Sequence, residues 1–270
     1  MDKAGRQNRI LEIVAREGGV SANKLSVVLG TSAMTIRRDF SELARAGKLR
    51  RLHGAATFGD SDMARFDFAK RQYINGTQKR AIARAVTGMI RNGMTVSLDT
   101  GTTTLEVARA IQTHRGLTVL TSSLAIASVL HSSQFDGELV LVGGRIRKDS
   151  PDLAGPLTEE NLGRFRSDVA ILGADAVDAG GTYAVNEAVG RICQAMAKHA
   201  GKVIVVADSS KFAGTAFVRC LSAGDVDTLV TDDGCPARTR AAFKRKFRKI
   251  VFARADGIVR GREPVEAGNS

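Results

Sequence analysis

Apolar residues recur at helical spacing through the first sixty residues of the chain. They predict a first helix over about residues 6–16, and Ser21 and Ser32 stand where each can cap a further helix by accepting a backbone N–H group. Residues 48–54 then alternate between polar and apolar like a short β-ribbon. The pattern therefore predicts three helices, with a tight turn between the second and the third, followed by a wing.

After residue 77 the pattern changes, because short apolar runs alternate with amphipathic segments. Seven runs are predicted as buried strands, at 94–98, 117–120, 139–142, 169–172, 203–206, 226–230 and 250–252. Helices are predicted before and between them, at 78–91, 104–113, 124–131, 187–200 and 238–246. Alternating strands and helices predict an α/β fold with a Rossmann-like, mostly parallel sheet that helices cover on both faces.

A chain of 270 residues is about twice the common domain size, so two domains are expected. The pattern places a winged helix-turn-helix domain at 1–57 and an α/β domain at 77–253. A linker is predicted at 58–76, where the periodicity weakens, and a flexible tail is predicted at 254–270.

Composition argues against several classes of protein. Hydrophobic residues make up 43% and charged residues 25%, as in soluble globular proteins, and no apolar run approaches the roughly 20 residues needed to span a bilayer. Three cysteines without a CxxC spacing and four scattered histidines give little support for a disulfide framework or a metal site. We therefore expect a cytoplasmic protein with no membrane segment, no metal and no cofactor.

The net charge of +12 is concentrated at the two ends of the chain. Residues 1–60 contain 11 Lys and Arg against 6 Asp and Glu, and residues 236–270 contain 10 against 3. Residues 61–235 are balanced, with 19 of each sign. This distribution indicates a nucleic-acid-binding module joined to a neutral body that binds a different partner.

The third predicted helix and the wing carry candidate DNA contacts. They are Ser32, Met34, Thr35, Arg37, Arg38 and Arg45 in or beside the helix, and Lys48, Arg50 and Arg51 in the wing. A helix fits the major groove of a DNA duplex, and arginine binds guanine or phosphate with two hydrogen bonds. The alternative is that Arg37 and Arg38 are merely solvated, or pair with the carboxylates at positions 39 and 42. The turn, the capped helices and the basic wing together favour DNA binding.

Polar and glycine-rich turns follow five of the predicted strands. The carboxyl ends of parallel strands meet at one edge of a sheet, where backbone N–H groups and hydroxyls can hold a phosphate, so one shared pocket is expected. The candidates are Asp99, Thr100, Gly101, Thr102, Thr103, Thr121, Ser122, Ser123, Gly143, Gly144, Arg145, Asp175 and Lys211. The alternatives are plain turns, a surface position for Lys211 and a structural ion pair for Arg145.

Two short segments of the first domain resemble a known family. Thr-Ile-Arg-Arg-Asp-Phe at 35–40 and His-Gly-Ala-Ala at 53–56 resemble the winged helix of the DeoR family of bacterial transcription regulators. The resemblance covers most of 6–57 and departs from the family at Phe40 and Ala55. It implies that His53 belongs to the DNA-contacting wing, and that Ala33 and Met34 discriminate between operators.

The turn motifs of the second domain extend the resemblance. Asp-Thr-Gly-Thr-Thr at 99–103 and the other strand-end turns are similar to those of the family's sensor domain, over most of 71–232. That domain is similar to ribose-phosphate isomerase, which implies a phosphorylated sugar or polyol as effector. Ser122 stands where the family commonly has Asn, which puts the choice of effector in question.

The resemblance implies a repressor of a sugar or polyol operon, bound to double-stranded operator DNA as a homo-oligomer and modulated by its effector. One alternative is a phosphosugar isomerase fused to a DNA-binding domain, since Gly-Ala-Asp-Ala-Val-Asp at 173–178 resembles an isomerase segment. The isomerase lysine is absent from the Ala-Gly-Gly-Thr that follows at 179–182, so no catalytic residues and no enzyme activity are expected. A second alternative is a constitutive DNA-binding protein whose other domain only forms oligomers.

Overall fold

The computed structural model describes residues 1–52, 54–57, 68–148 and 150–254. The predicted contact at His53, the first part of the predicted linker (58–67) and the predicted tail from residue 255 onward lie outside the described residues. The chain divides between Gly76 and Thr77 into two compact units, each with its own hydrophobic core.

The first unit is a winged helix-turn-helix domain, which confirms the predicted fold. Its helices are α1 (Lys3–Glu17), α2 (Ala22–Leu29) and α3 (Ala33–Arg45), and its strands are β1 (Gly19–Ser21), β2 (Arg50–Leu52) and β3 (Ala55–Thr57). The strands form an antiparallel sheet in the order β1-β3-β2. The sequence pattern does not predict β1, because three residues are too few to show an alternation.

The two predicted serine caps begin α2 and α3. Ser21 accepts the N–H of Lys24 at 3.2 Å, and Ser32 accepts the N–H of Thr35 at 3.1 Å, so both helices begin with a satisfied donor. The fully buried or nearly buried core side chains are Ile10, Leu11, Val14, Leu25, Ile36, Phe40 and Leu43. This core packs α3 against α1 and α2.

A buried ion pair joins α1 to α3. The Asp39 carboxylate is 1% exposed and accepts hydrogen bonds from Arg6 Nε at 2.6 Å and from the Gln7 amide at 3.2 Å. Glu42, one turn later, accepts from Gln7 at 2.8 Å and forms a salt bridge of 2.8 Å with Lys3. Because a buried carboxylate without a partner is strongly unfavourable, this network fixes α1 and α3 relative to each other.

The described end of the segment predicted as a linker packs with the first unit. A short helix, α4, spans Phe68–Arg71, and Tyr73 packs against the core of the winged helix. The first unit therefore extends to Gly76, past the boundary at residue 57 that the sequence pattern suggests.

The second unit is built on a parallel sheet, which confirms the predicted α/β fold. Its strands are β4 (Thr95–Leu98), β5 (Leu117–Thr121), β6 (Gly137–Leu141), β7 (Arg145–Ile146), β8 (Leu153–Ala154), β9 (Val169–Gly173), β10 (Ala176–Asp178), β11 (Gly181–Ala184), β12 (Val203–Val206), β13 (Val218–Ser222), β14 (Thr228–Asp232) and β15 (Ile250–Ala253). The seven predicted strands form the main sheet in the order β15-β14-β12-β9-β4-β5-β6, with all neighbours parallel. The short strands form two small antiparallel sheets, β7-β8 and β10-β11-β13.

Helices connect the strands of the main sheet. They are α5 (Gly76–Thr87), α6 (Thr102–Ala110), α7 (Leu124–His131), α8 (Pro156–Leu162), α9 (Glu187–Lys198) and α10 (Ala237–Lys244). All four residues of β12 are buried, and alternate residues of a strand point to opposite faces, so both faces of the sheet are covered there. None of the described helices is both long and apolar enough to cross a membrane.

The strand order places five turns of the sequence prediction side by side. β12, β9, β4, β5 and β6 are consecutive neighbours and run in the same direction. The turns that follow these strands therefore share one edge of the sheet, called here the carboxyl edge. The opposite edge, where the same strands begin, is called the amino edge.

Replacing Asp39 with Ala is expected to lower the free energy of unfolding of the first unit by about 1.5–3 kcal/mol, because the buried carboxylate accepts hydrogen bonds from Arg6 and Gln7. The matched control is Glu160→Ala, which removes an exposed pair with Arg164 and should change stability by less than about 0.5 kcal/mol. Urea denaturation followed by circular dichroism measures both. Equal, small losses in the two variants would contradict a structural role for the ion pair.

Candidate DNA interface and ligand site

The outer face of α3 presents the predicted basic side chains to solvent. Arg37, Arg38 and Arg45 are exposed, and Met34 is 67% exposed. Ile36, on the opposite side of the helix, is completely buried. The structure therefore separates a core-facing side of α3 from a cationic outer side.

The carboxylates closest to these arginines in the sequence are engaged by α1. Asp39 and Glu42 hydrogen-bond to side chains of that helix, whereas neither Arg37 nor Arg38 forms a side-chain hydrogen bond or ion pair with a described residue. The hydrogen bond from Lys3 is the largest cause that lowers the pKa of Glu42, and the charge of Arg38 has a smaller effect. The alternative to DNA contact is that Arg37 and Arg38 pair with these carboxylates, and the described residues show no such ion pairs.

The wing lies beside the outer face of α3. Arg51 Nη1 donates to the hydroxyl of Ser41 at 3.0 Å, and Ser41 donates to the backbone carbonyl of Arg37 at 2.9 Å. Lys48 and Arg50 are exposed. Helix and wing therefore bring the predicted cations onto adjoining surfaces of one small domain.

Four of the predicted contacts, Ser32, Ala33, Met34 and Thr35, lie at the beginning of α3. The hydroxyls of Ser32 and Thr35 share a hydrogen bond of 2.9 Å, and Ala33 and Thr35 are half-buried. A helix N-terminus carries partial positive charge, and neighbouring hydroxyls can donate to phosphate oxygens. This end of α3 is therefore suited to a DNA phosphate as well as to its capping role.

Asp99 stands at the carboxyl edge, directly after β4. Its carboxylate accepts the N–H of Thr100 at 2.7 Å and the N–H of Gly173 at 3.1 Å, so it ties the end of β4 to the end of β9. Burial raises the pKa of Asp99 to about 7, although the two N–H groups act in the opposite direction. The charges of Asp152 and Asp175 raise this pKa further. Asp99 therefore changes its protonation state near neutral pH.

Helix α6 begins at Thr102, three residues after Asp99. Gly101 adopts φ 144°, a conformation that favours glycine, and no side chain caps the helix. Thr102 and Thr103, in the first turn, are each 8% exposed. Uncapped N–H groups at a helix N-terminus favour an anion such as phosphate.

The hydroxyls of Thr121 and Ser123 shape the neighbouring turn after β5. Thr121 donates to the carbonyl of Leu98 at 2.8 Å and accepts the N–H of Ser123 at 3.0 Å. Ser123 in turn caps α7 by accepting the N–H of Ile126 at 3.2 Å. These contacts give both predicted site residues a structural role.

Two further hydroxyls at this edge, those of Thr100 and Ser122, are buried and have no hydrogen-bond partner among the described residues. Buried hydroxyls usually have a partner, because burial deprives them of hydrogen bonds to water. A ligand or an ordered water at the carboxyl edge can supply the missing partners. Both residues belong to the predicted ligand site.

The turn after β6 requires glycine. Gly143 and Gly144 adopt φ values of 73° and 135°, and a Cβ on Gly144 would overlap the hydroxyl of Thr158. That hydroxyl donates to the carbonyl of Gly143 at 2.9 Å, so the turn lies directly against α8. Arg145 follows, exposed, and forms no ion pair with a described residue, so its structural alternative is not observed.

Asp175 and Lys211 belong to the two remaining turns. Asp175 is half-buried, and its carboxylate accepts the N–H of Val185 at 3.1 Å. Lys211 is also half-buried, in a short 3-10 helix (Ser209–Phe212) that follows β12. Lys211 is therefore not a fully exposed surface lysine.

The sequence pattern did not single out Asp152, which lies just before β8. Asp152 is 1% exposed and accepts hydrogen bonds from Arg147 at 2.6 and 3.0 Å and from Ser150 at 3.0 Å. An antiparallel β-bridge also joins Asp152 to Ser123, and this bridge brings the β7-β8 hairpin next to the turn after β5. No motif marks this residue, because its position depends on a hairpin of two-residue strands.

The described residues offer no metal site built from three or more His, Cys, Asp or Glu side chains. Cys193, Cys220 and Cys235 are buried, unoxidised thiols. The hydrogen bond with Cys220 is the largest cause that raises the pKa of Cys193, and burial is the second. The thiolate form, which is the reactive one, is therefore disfavoured there.

A winged helix with unpaired arginines in one unit, and a parallel sheet with a polar, glycine-rich edge in the other, define a two-domain DNA-binding transcriptional regulator. The chain belongs to the DeoR family. Residues 6–62 match the DeoR-like helix-turn-helix domain, and residues 74–233 match the DeoR C terminal sensor domain. The family resemblance carried by the short motifs is thus confirmed over both units.

Similar proteins match nearly the whole chain. The transcriptional repressor AccR of Agrobacterium fabrum is 36% identical over 251 residues, which are 92% of this chain and 96% of that protein. The glycerol-3-phosphate regulon repressor of Haemophilus influenzae is 34% identical over 256 residues, 93% of this chain and 98% of that protein. Among solved structures, ribose 5-phosphate isomerase from Plasmodium falciparum aligns with 71% of this chain and 99% of its own, at 12% identity and a TM-score of 0.41.

The free energy of unfolding of the second unit is expected to fall as the pH rises from about 4 to about 7, because folded Asp99 holds its proton more tightly than the unfolded chain does. A shift of this size corresponds to a difference on the order of 4 kcal/mol. Asp99→Asn cannot ionise and should flatten this part of the profile, whereas Asp225→Asn, at an exposed position, should not. Urea denaturation at several pH values measures the slopes, and identical slopes for all three proteins would contradict the assignment.

Proposed function

We propose that this protein is a homo-oligomeric repressor, which binds operator DNA through α3 and the wing and is modulated by a phosphorylated sugar or polyol. The DNA half of the proposal rests on one observation above all. Arg37 and Arg38 are exposed and have no ion pair among the described residues, because the carboxylates of Asp39 and Glu42 are held by α1. Unpaired cations on a helix of major-groove size are suited to a duplex.

The residues of the first unit divide into two roles on the DNA. Arg37, Arg38 and the exposed Met34 are assigned to base edges, with Ala33 beside them at the start of the helix. The residues assigned to the phosphate backbone are Ser32, Thr35, Arg45, Lys48, Arg50 and Arg51. Phosphate contacts fix the orientation of the domain, and base contacts select the operator.

The carboxyl edge of the second unit is proposed to hold the effector. The uncapped N-terminus of α6 would bind the phosphate, with Lys211 and Arg145 adding positive charge. The unpartnered hydroxyls of Thr100 and Ser122 would hydrogen-bond to the ligand. A relative named for the glycerol-3-phosphate regulon supports a phosphorylated polyol as the class of effector.

We propose that this site binds its ligand without turnover. In the segment that resembles the isomerases, the Asp178 carboxylate accepts hydrogen bonds from the N–H groups of Gly180 and Gly181 at 2.7 and 3.1 Å. It also accepts from the hydroxyl of Tyr183 at 3.1 Å, so it holds a turn. A general base must reach the proton that it removes, and this carboxylate is engaged in its own hairpin.

A homo-oligomer is part of the proposal because the DNA-binding unit is small. One winged helix makes few base contacts, and specific binding in this class commonly uses two half-sites. The effector can change operator affinity only if it binds one arrangement of the oligomer more tightly than another. A repressor released by its effector is the expected outcome.

Arg38→Ala is expected to weaken operator binding by about 1–3 kcal/mol, or roughly 5- to 150-fold, and to relax the preference for the operator over other DNA sequences. The matched control is Arg9→Ala, at an exposed arginine of α1 that pairs with Glu12. Fluorescence anisotropy of a labelled operator, and of a labelled duplex of unrelated sequence, gives both quantities. If Arg38→Ala and Arg9→Ala bind alike, α3 does not read this DNA.

A phosphorylated polyol such as glycerol 3-phosphate is expected to raise the Tm of the second unit, and glycerol is not. At one hundred times its Kd, a ligand adds about 2.7 kcal/mol, which corresponds to roughly 5–10 °C for a domain of this size. Lys211→Gln should reduce the shift, and the exposed Lys249→Gln should leave it unchanged. A protein whose Tm responds to no phosphorylated sugar or polyol would instead be the constitutive DNA-binding alternative.

A further inference from the structure

A cavity of about 390 Å³ lies at the amino edge of the sheet, away from the proposed effector site. Its lining includes the segment 166–168, which precedes β9, and the segment 198–201, between α9 and β12. Thr95, at the start of β4, also lines this cavity. None of these residues belongs to the ligand site that the sequence motifs predict.

The lining carries a net positive charge. Arg166 and Lys198 are exposed, and neither forms a side-chain hydrogen bond or ion pair with a described residue. The one carboxylate of the lining, Asp168, accepts the N–H of Thr95 at 2.7 Å. Two cations therefore stand against one anion that already has a backbone partner.

Backbone hydrogen bonds fasten the two lining segments to each other. The N–H of Ser167 donates to the carbonyl of His199 at 3.0 Å, and the carbonyl of Ser167 accepts the N–H of Gly201 at 2.9 Å. Ser167 is 8% exposed, and its hydroxyl has no partner among the residues that the structure describes. The cations of the two segments are thus held beside the same cavity, together with a buried donor that lacks an acceptor.

The geometry points to a second ligand site at the amino edge, which binds a phosphate group. Arg166 and Lys198 supply charge and N–H donors, and the His199 ring and the Ser167 hydroxyl supply further donors. The cavity volume falls within the range of about 300–1,000 Å³ that small-ligand sites occupy. Free inorganic phosphate and the phosphate of a small metabolite share this chemistry.

The two sites lie at opposite ends of the same strand. β4 begins at Thr95, in the cavity lining, and ends at Leu98, directly before Asp99. At about 3.3 Å per residue, Thr95 and Asp99 are roughly 13 Å apart. A phosphate bound at the amino edge that prefers one arrangement of this strand would change the affinity of the carboxyl edge for the effector. The bound effector would change the affinity of the amino edge for phosphate by the same factor.

The test follows the histidine ring resonances of the full-length protein by NMR. The chain has four histidines, so a His199→Gln variant assigns the resonance. Inorganic phosphate is titrated at fixed pH and constant ionic strength, with a parallel titration of chloride. The expected result is a saturable shift of the His199 resonance with phosphate alone, which the effector-site variant Lys211→Gln retains.

The double variant Arg166→Gln/Lys198→Gln is expected to weaken this phosphate binding at least tenfold. Arg238→Gln/Lys244→Gln removes the same charge from exposed positions on α10 and should bind like the wild type. The Tm of each variant shows that it is folded. Tighter binding of a sugar phosphate than of inorganic phosphate would identify a metabolite as the ligand, and the reverse order would identify the free anion. A shift equal to that with chloride, or one that persists in the Arg166→Gln/Lys198→Gln protein, would overturn the proposal.

Discussion

The cationic outer side of α3 depends on where one carboxylate is placed. Asp39 directly follows Arg37 and Arg38, and on an isolated helix it would offset part of their charge. In the folded domain Asp39 is buried, and Arg6 and Gln7 of α1 occupy its oxygens. The first helix thus supplies the counter-charge, and the third helix keeps two guanidinium groups available to solvent. The ion pair between Arg6 and Asp39 therefore stabilises the domain and also leaves the outer side of α3 cationic.

Two carboxylates of the second unit, Asp99 and Asp168, organise it by accepting backbone N–H groups. Asp99 joins the ends of β4 and β9 by this means, and Asp168 binds the beginning of β4. Asp99 is more deeply buried than Asp168, so the charged form of its carboxyl group is the more strongly disfavoured. An anionic ligand near Asp99 and the proton on its carboxyl group therefore influence each other.

Long, apolar or well-capped elements could be predicted from the sequence. The strands of the main sheet and the caps at Ser21 and Ser32 belong to this group. The small antiparallel strands of the second unit could not, because they lack the continuous apolar runs that mark the buried strands of the main sheet. The motifs located the turns of the carboxyl edge, yet they could not tell that Thr121 bonds to the backbone while Ser122 lacks a partner. The amino-edge cavity has no sequence motif, since residues 166–168 and 198–201 meet only in the folded sheet.

The strand order has a consequence for how the chain is synthesised. β4 is the first strand of the main sheet to leave the ribosome, but it lies in the interior of the sheet, between β5 and β9. One side of β4 therefore has no partner until Val169–Gly173 has been made, and that exposed side is the kind of surface that chaperones protect. Helices α1, α2 and α3 of the winged domain, by contrast, all lie within the first 45 residues and can pack together while the sheet is still incomplete.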